Sequence, residues 1–520
     1  MVRMVRLPLM MLMLCLMAAS AASATTYYVA ANGSDSNNGT SKSAPWLHAP
    51  GMNGCAGVCA STTPKAGDQF ILRGGDTWHA FGTPSGLTWS WTWSGSGASS
   101  IYVGVDKSWY SGSAWTRPLL SGDNPLTTSF VSSCAHDEYQ FTFVSVNANY
   151  VDFDDLEFSG MCVATPMTSW PIATHFNRIG THVRLLNSYI HGWSIKQATG
   201  TDSIYMINGS GSAGASYNEV AYDVIDGADS SGAPSQPSGW PLYADGYSFH
   251  HNVVRYTSNG FNSPNNITFA HDNLFEHIVQ SWDSTSHSGI IEGYGAIAGQ
   301  PQYIYNNLTR NTNAGITFSP TPGSLGFWFN NVFYGIGNST NCFQVIQTGT
   351  STSTVDYFFN NTVDAPCSFR FLSTQAFMGT ANFQNNHYVG FANFSSTLLI
   401  QSSPVINDNG NEIFQTESTA NSQGYTPADN YAPTSANAAT VSTGANLTNI
   451  CDLIPDSDPS NACKSGSPAG VLYDAVNHVV VLPPTPPTRS TTGAWDVGAF
   501  EYSSSSSQLN PPTGLSATVQ

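Results

Sequence analysis

Seven short phrases recur through the middle of the chain: LLNSYIHG at 185, FHHNVVRY at 249, AHDNLFEH at 270, IYNNLTRN at 304, WFNNVFYG at 328, FFNNTVDA at 358 and FQNNHYVG at 383. Aligned on Asn252, Asn273, Asn307, Asn331, Asn361 and Asn386, they are separated by 21, 34, 24, 30 and 25 residues. Self-similarity at such spacings is the mark of a solenoid whose loops vary in length. Helix signals are scarce, because no long run keeps the 3.6-residue apolar period. Short runs of Val, Ile, Phe and Tyr are bounded instead by Asn and Gly turns, which reads as strands. The expected fold is therefore all-β, a parallel β-helix. Coils stacked about 4.8 Å apart bring identical side chains into ladders, and stacked asparagine amides can satisfy one another where an unpaired amide would be costly.

The chain has 520 residues, which exceeds ordinary single-domain size unless the fold grows along one axis. Arg3 and Arg6 precede the apolar run LPLMMLMLCLMAA, and Ala22-Ser23-Ala24 supplies a small-residue cleavage site. This pattern predicts a secretory signal peptide over 1–24 and a secreted product, extracellular or periplasmic, without membrane insertion. Removing Arg3 and Arg6 leaves 13 Lys+Arg against 33 Asp+Glu, a net charge of −20. Nucleic acid and anionic membranes are excluded as partners on that charge, and a monomer acting on a glycan is expected.

Of nine cysteines, Cys15 lies in the leader, and the even number that remains in an oxidising compartment predicts disulfides. Cys134/Cys162 and Cys342/Cys367 are 28 and 25 residues apart, one coil each. Cys55/Cys59 and Cys451/Cys463 would close small loops near the two ends.

The mature start, TTYYVAANGSDSNNGTSKSAPW, and GDQFILRGGDTW at 67 resemble the N-terminal region of secreted β-helix proteins of the pectate-lyase-like superfamily. GAWDVGAFEY at 493 is similar to the last coil of many bacterial members. The resemblance implies one right-handed, single-stranded parallel β-helix domain over 25–502, followed by a Ser/Pro-rich linker or tail over 503–520, whose PPTGLSATVQ looks like the opening of a further module. The architecture hosts polysaccharide lyases, glycoside hydrolases, epimerases and non-catalytic surface proteins, so it does not fix a reaction.

The stretch FAHDNLFEHIVQSWDSTSHSGIIEG, residues 269–293, concentrates three His, two Asp and two Glu in a chain that is 9% charged. In the coil alignment His250 and His271 share one column with Tyr305, and His251 and Asp272 share the next. Paired carboxylates can divide the work of glycoside hydrolysis as acid and as base or nucleophile. Asp272, Glu276, Asp283 and Glu292 are the candidates, with His287 in the same segment; His250, His251, His271, Tyr305 and Arg310 are candidate substrate contacts. A hydrolase using paired carboxylates, with no cofactor, is placed slightly ahead of a lyase acting by β-elimination on a uronate-containing glycan. A lyase needs a counter-charge for the uronate carboxylate, from calcium or an Arg, and a base such as His251 or His287. A third reading is a non-catalytic glycan-binding or adhesion protein. The cluster TWSWTWSG at 88 suits either sugar stacking or core packing. Asp35-Ser-Asn37-Asn-Gly39 reads as a turn, since no closing Glu completes a calcium loop.

Overall fold

The computed structural model describes residues 24–503, apart from segments 82–87, 166–172, 197–203, 210–216, 231–239, 244–247, 264–267, 279–288, 295–299, 313–314, 320–324, 337–340, 346–353, 365–367, 372–378 and 401–404. The described residues form three long parallel sheets of thirteen, eleven and twelve strands. The first sheet runs from Thr26–Val29 to Val405–Asp408, the second from Trp89–Trp91 to Leu398–Ile400, and the third from Thr77–Trp78 to Ile413–Gln415. Each coil gives one strand to each sheet, as in Gly289–Tyr294, Gln302–Tyr305 and Leu308–Thr312. The chain is a parallel β-helix, as its repeats predict.

The Asn-Asn pairs make the corner between the first and third sheets. The first asparagine of each pair takes a left-handed backbone, with φ of 58°, 57°, 53° and 57° at Asn306, Asn330, Asn360 and Asn385. Asparagine tolerates that conformation better than other non-glycine residues, which lets the chain bend sharply there. The second asparagine points inward and joins a buried ladder. Asn331 shows the pattern: its backbone N–H donates to Oδ1 of Asn361 at 3.1 Å, while Nδ2 donates to the same oxygen at 3.0 Å and to the Ile304 carbonyl at 2.9 Å. The ladder continues beyond the Asn phrases: Ser188 donates its N–H to Asp223, Asp223 donates its N–H to Asn252, and Asn386 reaches Glu412 at the far end.

Inside, inward-facing residues of the first-sheet strands fill the core. Phe153, Leu185, Val220, Phe249, Ala270, Ile304, Trp328, Phe358 and Phe383 are all buried, with Phe358 and Phe383 stacked at 4.9 Å. Trp89 and Trp91 are fully buried, so the 88–95 cluster packs the core. Asp35 is satisfied internally, accepting from the backbone N–H of Leu47 and His48 and pairing with the His48 ring at 2.7 Å, as a structural turn would. Disulfides join Cys55–Cys59, Cys134–Cys162 and Cys451–Cys463. The fourth expected pair, Cys342/Cys367, lies outside the described residues, since Cys367 and the Cys342 side chain are not described.

After Gln415 the chain stops coiling and runs back along the flank of the helix. It forms short helices at Glu417–Ser422, Thr448–Cys451 and Ser457–Cys463 and an antiparallel hairpin, Leu472–Asp474 with Val479–Val481. Residues 493–502, expected as a last coil, belong to this returning segment: Gly498 donates its N–H to the Asn385 carbonyl and Ala499 to Thr362 Oγ1. The physical reason lies on the outer face of the first sheet. There Tyr303, Tyr305, Phe327, Phe329 and Phe359 would expose a contiguous apolar patch, and Leu447, Ile454 and Trp495 of the returning segment cover it. Burying a ring of this size is worth roughly 1.5–3 kcal/mol. Among the described residues no helix is long and apolar enough to cross a membrane. Residues up to Ser23 and from Ser504 onward, where the leader and the tail are expected, lie outside the described residues.

Candidate functional site

Two columns of side chains point outward from the first sheet. The strand register places Asp152, Arg184, Glu219, Ser248 and Phe269 on successive rungs of one column. It places Asp154, Leu186, Ala221, His250, His271, Tyr305, Phe329 and Phe359 on the other. The rings of the second column are stacked almost parallel, His250 on His271 at 4.7 Å, His271 on Tyr305 at 4.6 Å and Tyr305 on Phe329 at 4.9 Å. The returning segment covers this ladder from Tyr305 onward. Before that point the face is open: the Arg184, Glu219 and His250 side chains keep 42%, 27% and 14% of their exposure.

At the boundary between the covered and open parts the polar groups converge. His250 Nε2 lies 3.0 Å from Oε1 of Glu219, and its Nδ1 lies 2.9 Å from Nδ1 of His251. With Glu219 accepting the Nε2 proton, Nδ1 of His250 carries the lone pair and accepts from His251. His271 Nδ1 contacts Oδ2 of Asp272 at 2.7 Å, and Oδ1 of Asp272 accepts from Asn306 Nδ2 at 3.1 Å. His251 is stacked on Tyr222 at 5.0 Å. Burial lowers the His251 imidazole to about 4, and lowers His271 more strongly than Asp272 raises it. Burial pushes the Glu219 carboxyl up, but the hydrogen bond and charge of His250, with the charges of Arg184 and His271, together outweigh it and hold the group below its usual range. Arg184 is the adjacent cation, bound through Nε and NH2 to Asp152 at 2.6 Å each. His251, His271 and Asp272 each offer a ligand atom within 4.8 Å of the others, so they could hold a metal.

The structure therefore brings His250, His251, His271 and Asp272 together and separates the other expected residues from them. Glu276 is buried on the third sheet, with Oε1 3.2 Å from Arg255 Nε and Oε2 accepting from Arg310 Nε at 2.9 Å. Register aligns Asp226, Arg255, Glu276 and Arg310 as alternating charges on one column, which spends Arg310 on an ion ladder. Tyr305 is buried beneath the returning segment. Asp283 and His287 lie outside the described residues. Glu292 is placed only by its backbone, between Asn262 and Thr317 in the second sheet.

Two groups escaped the reading of the sequence. Glu219 sits in a coil whose corner reads Tyr222-Asp223, so it carries no Asn-Asn phrase to align. Aligning the apolar core residue Val220 with Phe249 would have found it. The second group lies on the third sheet, where His191 Nδ1 contacts Asp229 at 2.7 Å and Nε2 contacts Glu157 at 3.0 Å. Burial opposes its charge, but the hydrogen bonds to Asp229 and Glu157 prevail and lift the imidazole to about 9.

No protein-family model matches this chain, and no curated protein is similar to it in sequence. Among solved structures, the chain is similar to a GH136 lacto-N-biosidase from Eubacterium ramulus, at 11% identity and a TM-score of 0.37 over 75% of this chain and 68% of that one. It is similar to the pectate lyase Pel9A at 16% identity and 0.40, over 92% of this chain and 97% of that one. It is similar to XylC, solved with xylose, at 10% identity and 0.41, over 75% and 86%. Likeness at this level carries no argument about reaction or substrate, and the fold assignment rests on this chain's own strand register.

Proposed function

We propose that this chain is a secreted carbohydrate-active enzyme that cleaves glycosidic bonds in an extracellular polysaccharide on the open strip of the first sheet. The observation that carries the reading is the Glu219–His250 dyad beside His251, His271 and Asp272, on a face that the returning segment leaves accessible. A carboxylate that fixes the tautomer of an imidazole and leaves the other nitrogen as an oriented acceptor is the arrangement of a general base. A strip several coils long also suits an extended glycan.

The two expected reactions make different demands. Hydrolysis needs one protonated and one ionised carboxylate free to approach the sugar. Asp272 is bonded to His271 and Asn306, and Glu276 to two arginines, so a hydrolytic pair would have to be drawn from Asp283 and Glu292. β-Elimination needs a base and a cation. Once a bound substrate displaces the His251 ring from its 2.9 Å contact, Nδ1 of His250 would take the C5 proton, the C5–H electrons would form the C4–C5 double bond, and the C4–O bond would break with its electrons leaving on the glycosidic oxygen. Arg184, one rung from Glu219, would be shared between Asp152, which already holds its Nε and NH2, and the uronate carboxylate. The described geometry thus favours elimination on a uronate-containing glycan over hydrolysis.

The test is a panel of neutral and uronic polysaccharides, recording both new reducing ends and the ultraviolet absorbance of unsaturated products. Reducing ends with that absorbance on a uronic substrate support the proposal. Reducing ends without it would return the reaction to hydrolysis, and binding without any product would make the chain a glycan-binding protein.

A further inference from the structure

The corner column of the first sheet shows what its backbone prefers. In five successive later coils it holds Asn, at Asn306, Asn330, Asn360, Asn385 and Asn411, all with φ between 53° and 62°. The earlier coils vary, with Asp155, Asn187 and Tyr222 at this corner ahead of His251 at φ 54° and Asp272 at φ 56°. Neither His251 nor Asp272 improves the corner; each trades the usual occupant for a group that can bind a cation. Together with His271 they present two imidazoles and a carboxylate with ligand atoms within 4.8 Å of one another.

We propose that His251, His271 and Asp272 bind a divalent transition metal of the zinc class. Three features of the surroundings fit this assignment. The imidazole is a preferred ligand of zinc, copper, iron and nickel, whereas calcium selects oxygen and finds a single carboxylate here. Asp272 is anchored from behind by Asn306, as ligating carboxylates commonly are. The setting is acidic, with Glu219 on His250 and Asp456 and Asp458 on the rim, where Asp456 accepts from Tyr303 at 2.7 Å and the charge of Asp458 acts on His271. An ion seated there would replace the proton now shared between His271 Nδ1 and Asp272. It would lie beside His250, whose two ring nitrogens are held by Glu219 and His251. On the proposed function, to which this adds a role but on which binding does not depend, the ion would supply the counter-charge for a substrate carboxylate.

The experiment uses the full secreted chain, stripped with chelator and titrated calorimetrically with zinc chloride, with calcium chloride as the comparison and cobalt(II) read by its visible absorption. The variants are Asp272→Asn and His251→Asn, each of which installs the residue that the same corner carries in other coils and so preserves the fold. One equivalent of zinc, a cobalt spectrum of low coordination number, and at least tenfold weaker binding in each variant are expected. No stoichiometric zinc binding, binding that neither variant moves, or calcium binding as tightly as zinc would overturn the assignment. No substrate is present, so the result stands apart from that of the polysaccharide panel.

Discussion

His191 shows how one side chain can bind the solenoid to its flank. Its two ring nitrogens hold Glu157 and Asp229, its face is stacked on Tyr189 at 4.1 Å, and Tyr189 is stacked in turn on His478 of the returning segment at 4.4 Å. Asp226 and Tyr473 stand close by, joined at 3.0 Å. Because its folded value of about 9 lies above the unfolded value, its contribution is full below the unfolded value of about 6.5 and is lost as the pH rises through 9. That contribution is at most about 3 kcal/mol, since Asp229 is partly exposed. Urea melts from pH 6 to 10 should show the wild type losing stability across this window and His191→Gln losing less. Parallel curves for the two proteins would contradict the assignment. None of this was legible in the sequence, where His191 is one polar residue after the apolar pair Tyr189 and Ile190 and its partners lie 34 and 38 positions away.

The coil is the element that the sequence displays best, and the Asn-Asn corner shows why. One asparagine satisfies a left-handed turn and the next satisfies a buried ladder, so two physical demands fall on adjacent positions and repeat wherever the coil does. Where the corner is met by other residues, as at Asn187-Ser188 or Tyr222-Asp223, the same geometry is present without the signature. The ladder predicts its own fragility. Replacing Asn331 with Ala removes an acceptor used by Asn307 and the two donations from Nδ2, leaving buried groups unpaired. The loss should be roughly 3 kcal/mol or more by denaturant titration. A loss under about 0.5 kcal/mol would mean that the ladder is decoration on coils held by their cores. The corner column behaves differently: Asp272→Asn should leave thermal stability unchanged or raised, because Asn is the residue which that backbone favours.

At the scale of the whole molecule, the returning segment decides what the outer face can do. By covering the rings from Tyr305 onward it turns half of an aromatic ladder into core and leaves the imidazole half at an accessible edge. This was hidden from the sequence because the contacts span long separations, such as the 153 residues between Tyr303 and Asp456, and because Leu447, Ile454 and Trp495 follow no repeat. The concentration of His and Asp in the middle coils was legible; their assortment was not, since Glu276 and Arg310 turn to the third sheet while His250, His271 and Asp272 gather with Glu219 on the first. Phe329→Ser should loosen the segment and make the chain between 447 and 463 cleavable by protease before the coils are. Simultaneous loss of both would show that the segment and the solenoid form one cooperative unit.

The central claim is that the Glu219–His250 dyad and its neighbours are the working site. It is tested most directly by comparing kcat for the wild type, His250→Gln and Glu219→Gln on the polysaccharide that the wild type cleaves best, with circular dichroism confirming intact coils. A fall of at least about a hundredfold is expected in His250→Gln, the scale of a lost general base, and a smaller fall in Glu219→Gln, which removes only the orienting partner. Unchanged kcat in both folded variants would contradict it and place the chemistry elsewhere on the solenoid.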